Sequence, residues 1–276
     1  MKMVLPPFRV LKLLMYSFIS LYCLFVLTPL TWMVFTSLKA PQEIFTNPAN
    51  LPNEIYWGNF ERVFSSGMGT YFLNSLTATA VAVSGIILVS TLAAYALARV
   101  PFRGRTLMYM LIVVSYAVPL HAVLVPMFQL LDGFGVLNRL TGVILPYIAF
   151  GIPFTIILLY AFFLEFPQEL EEAARLDGCS TLRTVFTIIL PLSKPALLSA
   201  AIFQVVFVWN EFLIAMLVLT SKEMQTLPLG LTSFQGEYTS DWGAIMAAVL
   251  LSALPVILLY LAMQKHFVRS LTGMGK

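Results

Sequence analysis

Apolar residues run through this chain in long blocks set apart by short charged stretches. Uncharged runs lie between Lys12 and Lys39, Arg62 and Arg99, Arg105 and Asp132, Arg139 and Glu165, and Asp241 and Lys265. A further run, from Lys194 to Lys222, is interrupted only by Glu211. Each is long enough for the roughly 20 helical residues that cross a hydrocarbon core. None shows the alternation of a barrel strand, which leaves the helix to satisfy the backbone polar groups inside a bilayer. The pattern predicts an all-α polytopic membrane protein with six transmembrane helices, at about 13–38, 71–98, 107–131, 140–164, 195–220 and 242–264. Residues 1–276 read as one transmembrane domain. Basic residues precede the first run, as they do in a signal peptide. That run continues to Leu38, beyond the roughly 7–15 residues of a signal core, and is expected to be an uncleaved span.

Composition agrees with this reading. Hydrophobic residues make up 59% of the chain and charged residues 11%, against about 25% charged in soluble domains. Charge also orients the spans. With the N-terminus inside, the inner segments hold Lys2, Arg9 and Lys12; Arg99, Arg103 and Arg105; Arg175, Arg183 and Lys194; and Lys265, Arg269 and Lys276. The outer segments hold Lys39, Arg62, Arg139 and Lys222, so twelve of the 16 basic residues lie inside. The positive-inside rule then puts both termini in the cytoplasm. That basic inner face suits anionic lipid headgroups rather than nucleic acid. Cys23 falls in a span and Cys179 in an inner loop, so no disulfide is expected.

The connections differ in character. Residues 39–70, rich in Pro, Asn and aromatics, read as a short folded outer segment with a helix near WGNFERVF. Residues 221–241 read as a turn-rich outer loop. The inner stretch 165–194 contains ELEEAARLDGCSTLRTVFTIILPL. Pro167 suits a first helical turn, and Glu169, Glu171 and Glu172 suit the positive end of a helix dipole. Glu171 and Arg175 are spaced to pair along one face. Asp177-Gly178 ends that helix, a second is expected over 181–190, and Pro191 is expected to bend the chain toward the fifth span. By periodicity alone the segment is either a solvated connector or a docking helix.

Candidate chemistry within the spans is sparse. Glu211 is the one acid deep in a span, and an intramembrane charge faces protein, partner or water. Trp209 and Asn210 adjoin it and Gln204 lies about two turns before it; these residues could line a path for a polar substrate, or Asn210 and Glu211 could hold helices together. Tyr116, Gln129 and Tyr147 either line a cavity or pack. His121 reads as a packing residue. Ser84-Gly85 and the alanines of 93–98 suggest close helix approach. Trp32, Trp57 and Trp242 are placed as interface anchors. No Ser/His/Asp set, metal-ligand spacing or phosphate-binding loop occurs.

The inner stretch also matches a family signature. Glu172-Ala173-Ala174, three residues, Gly178, nine residues, Ile188, one residue and Leu190-Pro191 resemble the EAA loop of ATP-binding-cassette importer permeases. NSLTATA, Trp209-Asn210-Glu211-Phe212, FQGEYTSDWG and the tail FVRSLTGMGK are similar to the carbohydrate-uptake branch, above all to the second permease subunit of maltose-type transporters. The resemblance implies the type I importer permease fold and no catalytic residue on this chain. It implies a coupling surface of Glu172, Ala173, Ala174, Asp177, Gly178, Ile188, Leu190 and Pro191. The candidate substrate path is Gln204, Trp209, Asn210, Glu211, Tyr116 and Gln129, although in the resembling maltose-type system the partner permease supplies most sugar contacts, and the candidate binding-protein contact is Phe234, Gln235, Gly236, Glu237 and Tyr238. The implied partners are a second homologous permease, two cytoplasmic ATPase subunits carrying ATP and Mg, an extracytoplasmic sugar-binding protein, a sugar and the lipid bilayer. The implied location is a bacterial or archaeal cytoplasmic membrane. A glycerol-phosphate importer of the same branch would call for Arg or Lys in the cavity. A stand-alone secondary transporter would call for coupling charges within spans, and an enzyme acting on lipid-linked sugars for clustered acids or histidines.

Overall fold

The computed structural model describes residues 7–236 and 240–273, with side-chain surroundings for 11–181, 183–236 and 240–264. Among the described residues the chain is helical, and its only bridge of strand type joins Gln235 and Ser240. It divides into two compact units, Met1–Met68 with Leu231–Leu251, and Gly69–Gly230 with Ser252–Lys276.

The first unit begins with α1, Pro7–Ser37. Its side chains are exposed from Leu11 to Trp32, including Phe18, Phe25 and Leu30. A helix apolar on all sides is covered by lipid or by other membrane helices. Two short helices follow, α2 (Pro41–Thr46) and α3 (Gly58–Ser65), the second falling where WGNFERVF predicts it. Their connection is a built polar knot. Lys39 is fully buried, and its Nζ donates to the carbonyls of Asn47 at 2.7 Å and Pro48 at 3.1 Å. Asn59 donates to the carbonyls of Ser37 and Lys39, both at 2.8 Å. Arg62 pairs with Asp241 at 2.8 Å. A buried ammonium is tolerated because carbonyl oxygens replace its hydration.

The second unit holds α4 (Met68–Arg99), α5 (Arg105–Tyr116), α6 (Leu120–Gly133) and α7 (Leu140–Glu165). The numbering gives α4 to this unit apart from its first residue, Met68. The stretch 107–131 is divided. α5 and α6 meet at 98°. Pro119 causes the break, since it has no N–H and disfavours helical geometry at Val118. The inner stretch gives α8 (Glu169–Leu176), α9 (Thr181–Thr184), a π-helical turn at Val185–Ile189 and α10 (Leu190–Leu192). Then come α11 (Lys194–Trp209), α12 (Leu213–Val218) and α13 (Leu227–Gly230). The final helix, α14, is Trp242–Gly273, its residues up to Leu251 counted with the first unit and the rest with the second, and Trp242–Gln264 is long and apolar enough to span a membrane.

Among the described residues four helices are long and apolar enough to cross a membrane, or up to six if each bent pair is one span. The second bent pair joins Val185–Leu192 to Lys194–Trp209 at 70°. Its corner is Ser193, two residues past the expected Pro191. The π-helical turn accounts for the shift. A proline removes one helical hydrogen bond and its ring presses on the carbonyl four residues back, and widening the preceding turn relieves this. Pro191 therefore sits within a helical turn and the chain turns after it.

Two apolar clusters fill the second unit. One gathers Ala78, Ala82, Ile86, Val143, Tyr147, Val208 and Ile214. The other gathers Ala94, Leu97, Leu159, Phe163, Val185 and Ile189. Small residues permit the close approach that packs membrane helices. A Cβ on Gly85 would lie 2.9 Å from Ile148 Cδ1 of α7, and Ala94 and Ala98 are buried.

Candidate functional site

The EAA stretch folds as two helical pieces around a glycine. In α8 the first turn carries Glu169, Glu171 and Glu172, aligned with the helix dipole. The helix ends at Asp177 and Gly178 takes φ +76°. Cys179 N–H donates to the Ala174 carbonyl at 2.9 Å and Gly178 N–H to that of Arg175 at 3.0 Å. This pair of bonds is the Schellman stop, which favours glycine at the left-handed position. A Cβ on Gly178 would meet nothing within 4 Å, so backbone conformation alone sets the preference.

The sides of α8 are sharply different. Glu171 and Ala174 are buried. Glu172, Ala173, Asp177 and Gly178 are exposed, and Leu176 is 90% exposed. Downstream, Ile188 and Leu190 are half-buried and Pro191 is exposed. The signature residues therefore divide between an outward face and the seam beneath it.

Glu171 turns away from the expected partner Arg175. Its Oε1 lies 3.2 Å from Arg99 Nε at the end of α4, and its Oε2 accepts from the Tyr95 hydroxyl at 3.1 Å. Arg99 also donates to the Phe166 carbonyl, which ends α7. Burial selects Arg99, since a buried carboxylate needs a buried partner while Arg175 lies in the open. Arg99 and Tyr95 are absent from the sequence-level site. In sequence Arg99 reads only as a basic residue at a span end.

The six substrate-path candidates do not converge. Tyr116 and Gln204 line one cavity of about 780 Å³ between α5, α6, α7 and α11. Its wall is mostly apolar, with Tyr116, Phe150, Phe154, Phe203 and Phe207 as its aromatic residues. Tyr116 packs on Phe154 at 5.9 Å and Phe154 meets Phe203 edge-on at 5.8 Å. Gln204 is buried, and its Nε2 donates to the Gly151 carbonyl at 3.1 Å and to Thr155 Oγ1 at 2.9 Å. Gln129 is exposed outside that lining. Asn210 is exposed and donates back to the Val206 carbonyl at 2.8 Å. Trp209 is buried edge-on against Phe72, its Nε1 donating to the Ser252 carbonyl at 3.1 Å.

Glu211 closes the break between α11 and α12. Its Oε1 accepts from Ile214 N–H at 2.8 Å, and its Oε2 accepts from Ala215 N–H at 3.2 Å and the Tyr147 hydroxyl at 2.9 Å. The carboxyl thus satisfies the orphan N–H groups of α12.

Three further polar residues organise the segment after α12. Asn138, at φ 54°, accepts at Oδ1 from Thr220 N–H at 3.1 Å, Ser221 N–H at 2.9 Å and Ser221 Oγ at 2.9 Å. Asn74 donates to the carbonyls of Glu223 at 2.8 Å and Gln225 at 2.9 Å. Ser75 Oγ accepts from Leu227 N–H at 2.7 Å. The opening residues of NSLTATA therefore clasp the 221–227 loop. Among the binding-protein candidates, Phe234 is half-buried while Gln235 and Gly236 are exposed. Glu237 and Tyr238 lie outside the described residues. His121 is exposed, and no His/Cys/Asp/Glu cluster fit for a metal ion occurs among the described residues.

Comparison with known proteins places this arrangement. Residues 86–273 match the family model described as binding-protein-dependent transport system inner membrane component. A probable ABC transporter permease protein of Bacillus subtilis is 37% identical over 93% of this chain and 85% of its own length. The trehalose/maltose transport system permease protein MalG of Thermococcus litoralis is 32% identical over 96% of this chain and 95% of its own. Among solved structures, a chain of a bacterial ABC transporter involved in the import of the acidic polysaccharide alginate superposes with a TM-score of 0.84. That match is 24% identical and covers 94% of this chain and 97% of the other, and it shows the fold.

Proposed function

Since the chain belongs to the binding-protein-dependent transport system inner membrane component family, as a multi-pass membrane permease of an importer, we propose that it is one of two homologous permease subunits of an ATP-driven sugar importer. Two cytoplasmic ATPase subunits hold ATP and Mg, and an extracytoplasmic binding protein delivers the sugar. The permease passes it inward by alternating access, in a bacterial or archaeal cytoplasmic membrane. In this reading residues 1–276 form a single transmembrane domain whose 165–194 loop faces the cytoplasm.

The outward face of α8 carries the proposal. Glu172, Ala173 and Leu176 lie exposed on a helix stopped cleanly at Gly178. Small and apolar residues flanked by charge suit a groove that covers them, as the ATPase subunit would. The cavity supports a neutral sugar. Its mostly apolar wall includes the rings of Tyr116, Phe150, Phe154, Phe203 and Phe207, on which a sugar ring could stack, with Ser115 and the Tyr116 hydroxyl as polar groups. A phosphate ester would favour a basic residue there. Phe234, Gln235, Gly236, Glu237 and Tyr238 remain the proposed binding-protein contact.

The test is reconstitution with the second permease, the ATPase subunits and the binding protein, followed by uptake from a panel of labelled mono- and oligosaccharides and glycerol 3-phosphate. The reading expects ATP-dependent uptake of a sugar that stops when the binding protein is omitted. Uptake without ATPase subunits would indicate a secondary transporter instead, and uptake of glycerol phosphate alone would replace the substrate class.

A further inference from the structure

The seam under α8 holds an ionic contact whose energetics argue against a merely stabilising role. Glu171 and Arg99 are both more than nine-tenths buried as side chains and stand 3.2 Å apart. Arg99 Nε and Glu171 Oε1 approach as charges, yet neither atom has an aligned hydrogen bond. Desolvating two charges costs more than such a contact commonly returns, and apolar replacements are often as stable or more so. What a buried pair does supply is register, since a shift along the seam would strand both charges. This pair joins three elements. Arg99 ends α4, Glu171 lies in the first turn of α8, and the Phe166 carbonyl that Arg99 also meets caps α7. Tyr95, one turn earlier in α4, adds a second bond from the same helix to the same carboxylate.

We propose that Glu171 and Arg99 form a latch that fixes α8 to the end of α4, so that displacement of the docking helix moves α4 as well as the path through Pro191 and α11. The proposal rests on the reading that α8 meets an ATPase subunit. The chain route from α8 to α11 is soft, running through Gly178, a π-helical turn and the 70° corner at Ser193. The latch bypasses all three joints. Glu171 and Arg99 are thus positioning residues, acting through the helices they hold.

The test uses the complex with its ATPase subunits in lipid nanodiscs, with Cys23→Ser and Cys179→Ser. Spin labels at Arg103→Cys, just beyond α4, and Gln168→Cys, just before α8, report their separation by electron double resonance. With the latch intact, that distance is unchanged between the nucleotide-free and ATP–vanadate states. With Glu171→Gln, it shifts or broadens when ATP–vanadate is added, and Arg99→Gln behaves alike. A distance that changes with the latch intact, or that stays fixed in both variants, overturns the proposal. If Glu171→Gln does not assemble, an Arg99→Cys/Glu171→Cys chain bridged with a short bis-methanethiosulfonate decides. A bridged complex that hydrolyses ATP at the rate of the unsubstituted complex supports the latch, and one that stalls until reductant is added overturns it. Failure of the unsubstituted chain to co-purify with ATPase subunits would instead sink the docking reading itself.

Discussion

The Tyr147 hydroxyl stands 2.9 Å from Glu211 Oε2, joining α7 to the break between α11 and α12. Tyr147 is 1% exposed and Glu211 8%, and the same carboxyl accepts from two backbone N–H groups of α12. Three donors thus converge on two oxygens. A break in a membrane helix needs such compensation, because hydrocarbon offers none.

Glu211→Gln keeps the shape and removes one acceptor oxygen. In either orientation its amide NH₂ faces a backbone N–H, of Ile214 or of Ala215, and leaves that donor unpaired. The cost of such a group is about 1–3 kcal/mol. Tyr147→Phe removes one bond and leaves both backbone contacts, so its effect is smaller. The expected order of melting temperatures in detergent is wild type, Tyr147→Phe, Glu211→Gln, read by fluorescence-detected size exclusion after heating. Unchanged melting with lost uptake in Glu211→Gln would assign the carboxyl to the substrate instead.

Asn138 offers a test at the other end of α12. One oxygen gathers three donors from Thr220 and Ser221, and its backbone N–H donates to the Val218 carbonyl at 2.9 Å. Asn138→Gly accepts φ 54° but loses the acceptor, and Asn138→Ala loses both advantages. Each is expected to speed amide exchange at residues 220 and 221, with Ala the less stable by about 1 kcal/mol. Exchange as slow as in the wild type would mean that Asn138 does not hold the segment.

The helical architecture is legible because a bilayer core demands long uncharged runs, and this chain supplies them. Gly178 is equally legible, since Asp-Gly after a helical run points to a left-handed stop and the Schellman bonds follow. The corners are less so. Val118-Pro119 gives a local reason for the 98° turn, but Pro191 displaces its own bend to Ser193 by widening the turn before it. The site is least legible where partners are distant in sequence. Glu171 has a fair partner four residues on, and only packing reveals that Arg99, in another helix, faces the same seam. Trp209 likewise has the chemistry to stack on a sugar, yet its nitrogen is already engaged by Ser252.

Gly178 separates two mechanisms that sequence alone would merge. Any side chain there meets the cost of φ +76°, roughly 1 kcal/mol or more for an ordinary residue. Within this chain a Cβ there touches nothing within 4 Å, so the first side-chain carbon adds no steric cost to the isolated permease. Asn tolerates the left-handed region better than Ala, and Leu is larger than either. If only the helix stop matters, uptake should fall for Ala and Leu alike and be spared for Asn. If the exposed face also enters an ATPase groove, Leu should be far worse than Ala, since close-packed surfaces accept little added volume. The expected result is the second pattern, with Gly178→Leu losing uptake and retaining little ATPase on co-purification, and Gly178→Asn, spared the backbone cost but not the added volume, falling short of wild type. Insertion should survive in all three, because it depends on span hydropathy and the basic bias. Equal uptake in Ala and Leu variants, with full ATPase retention, would reduce this stretch to a connector.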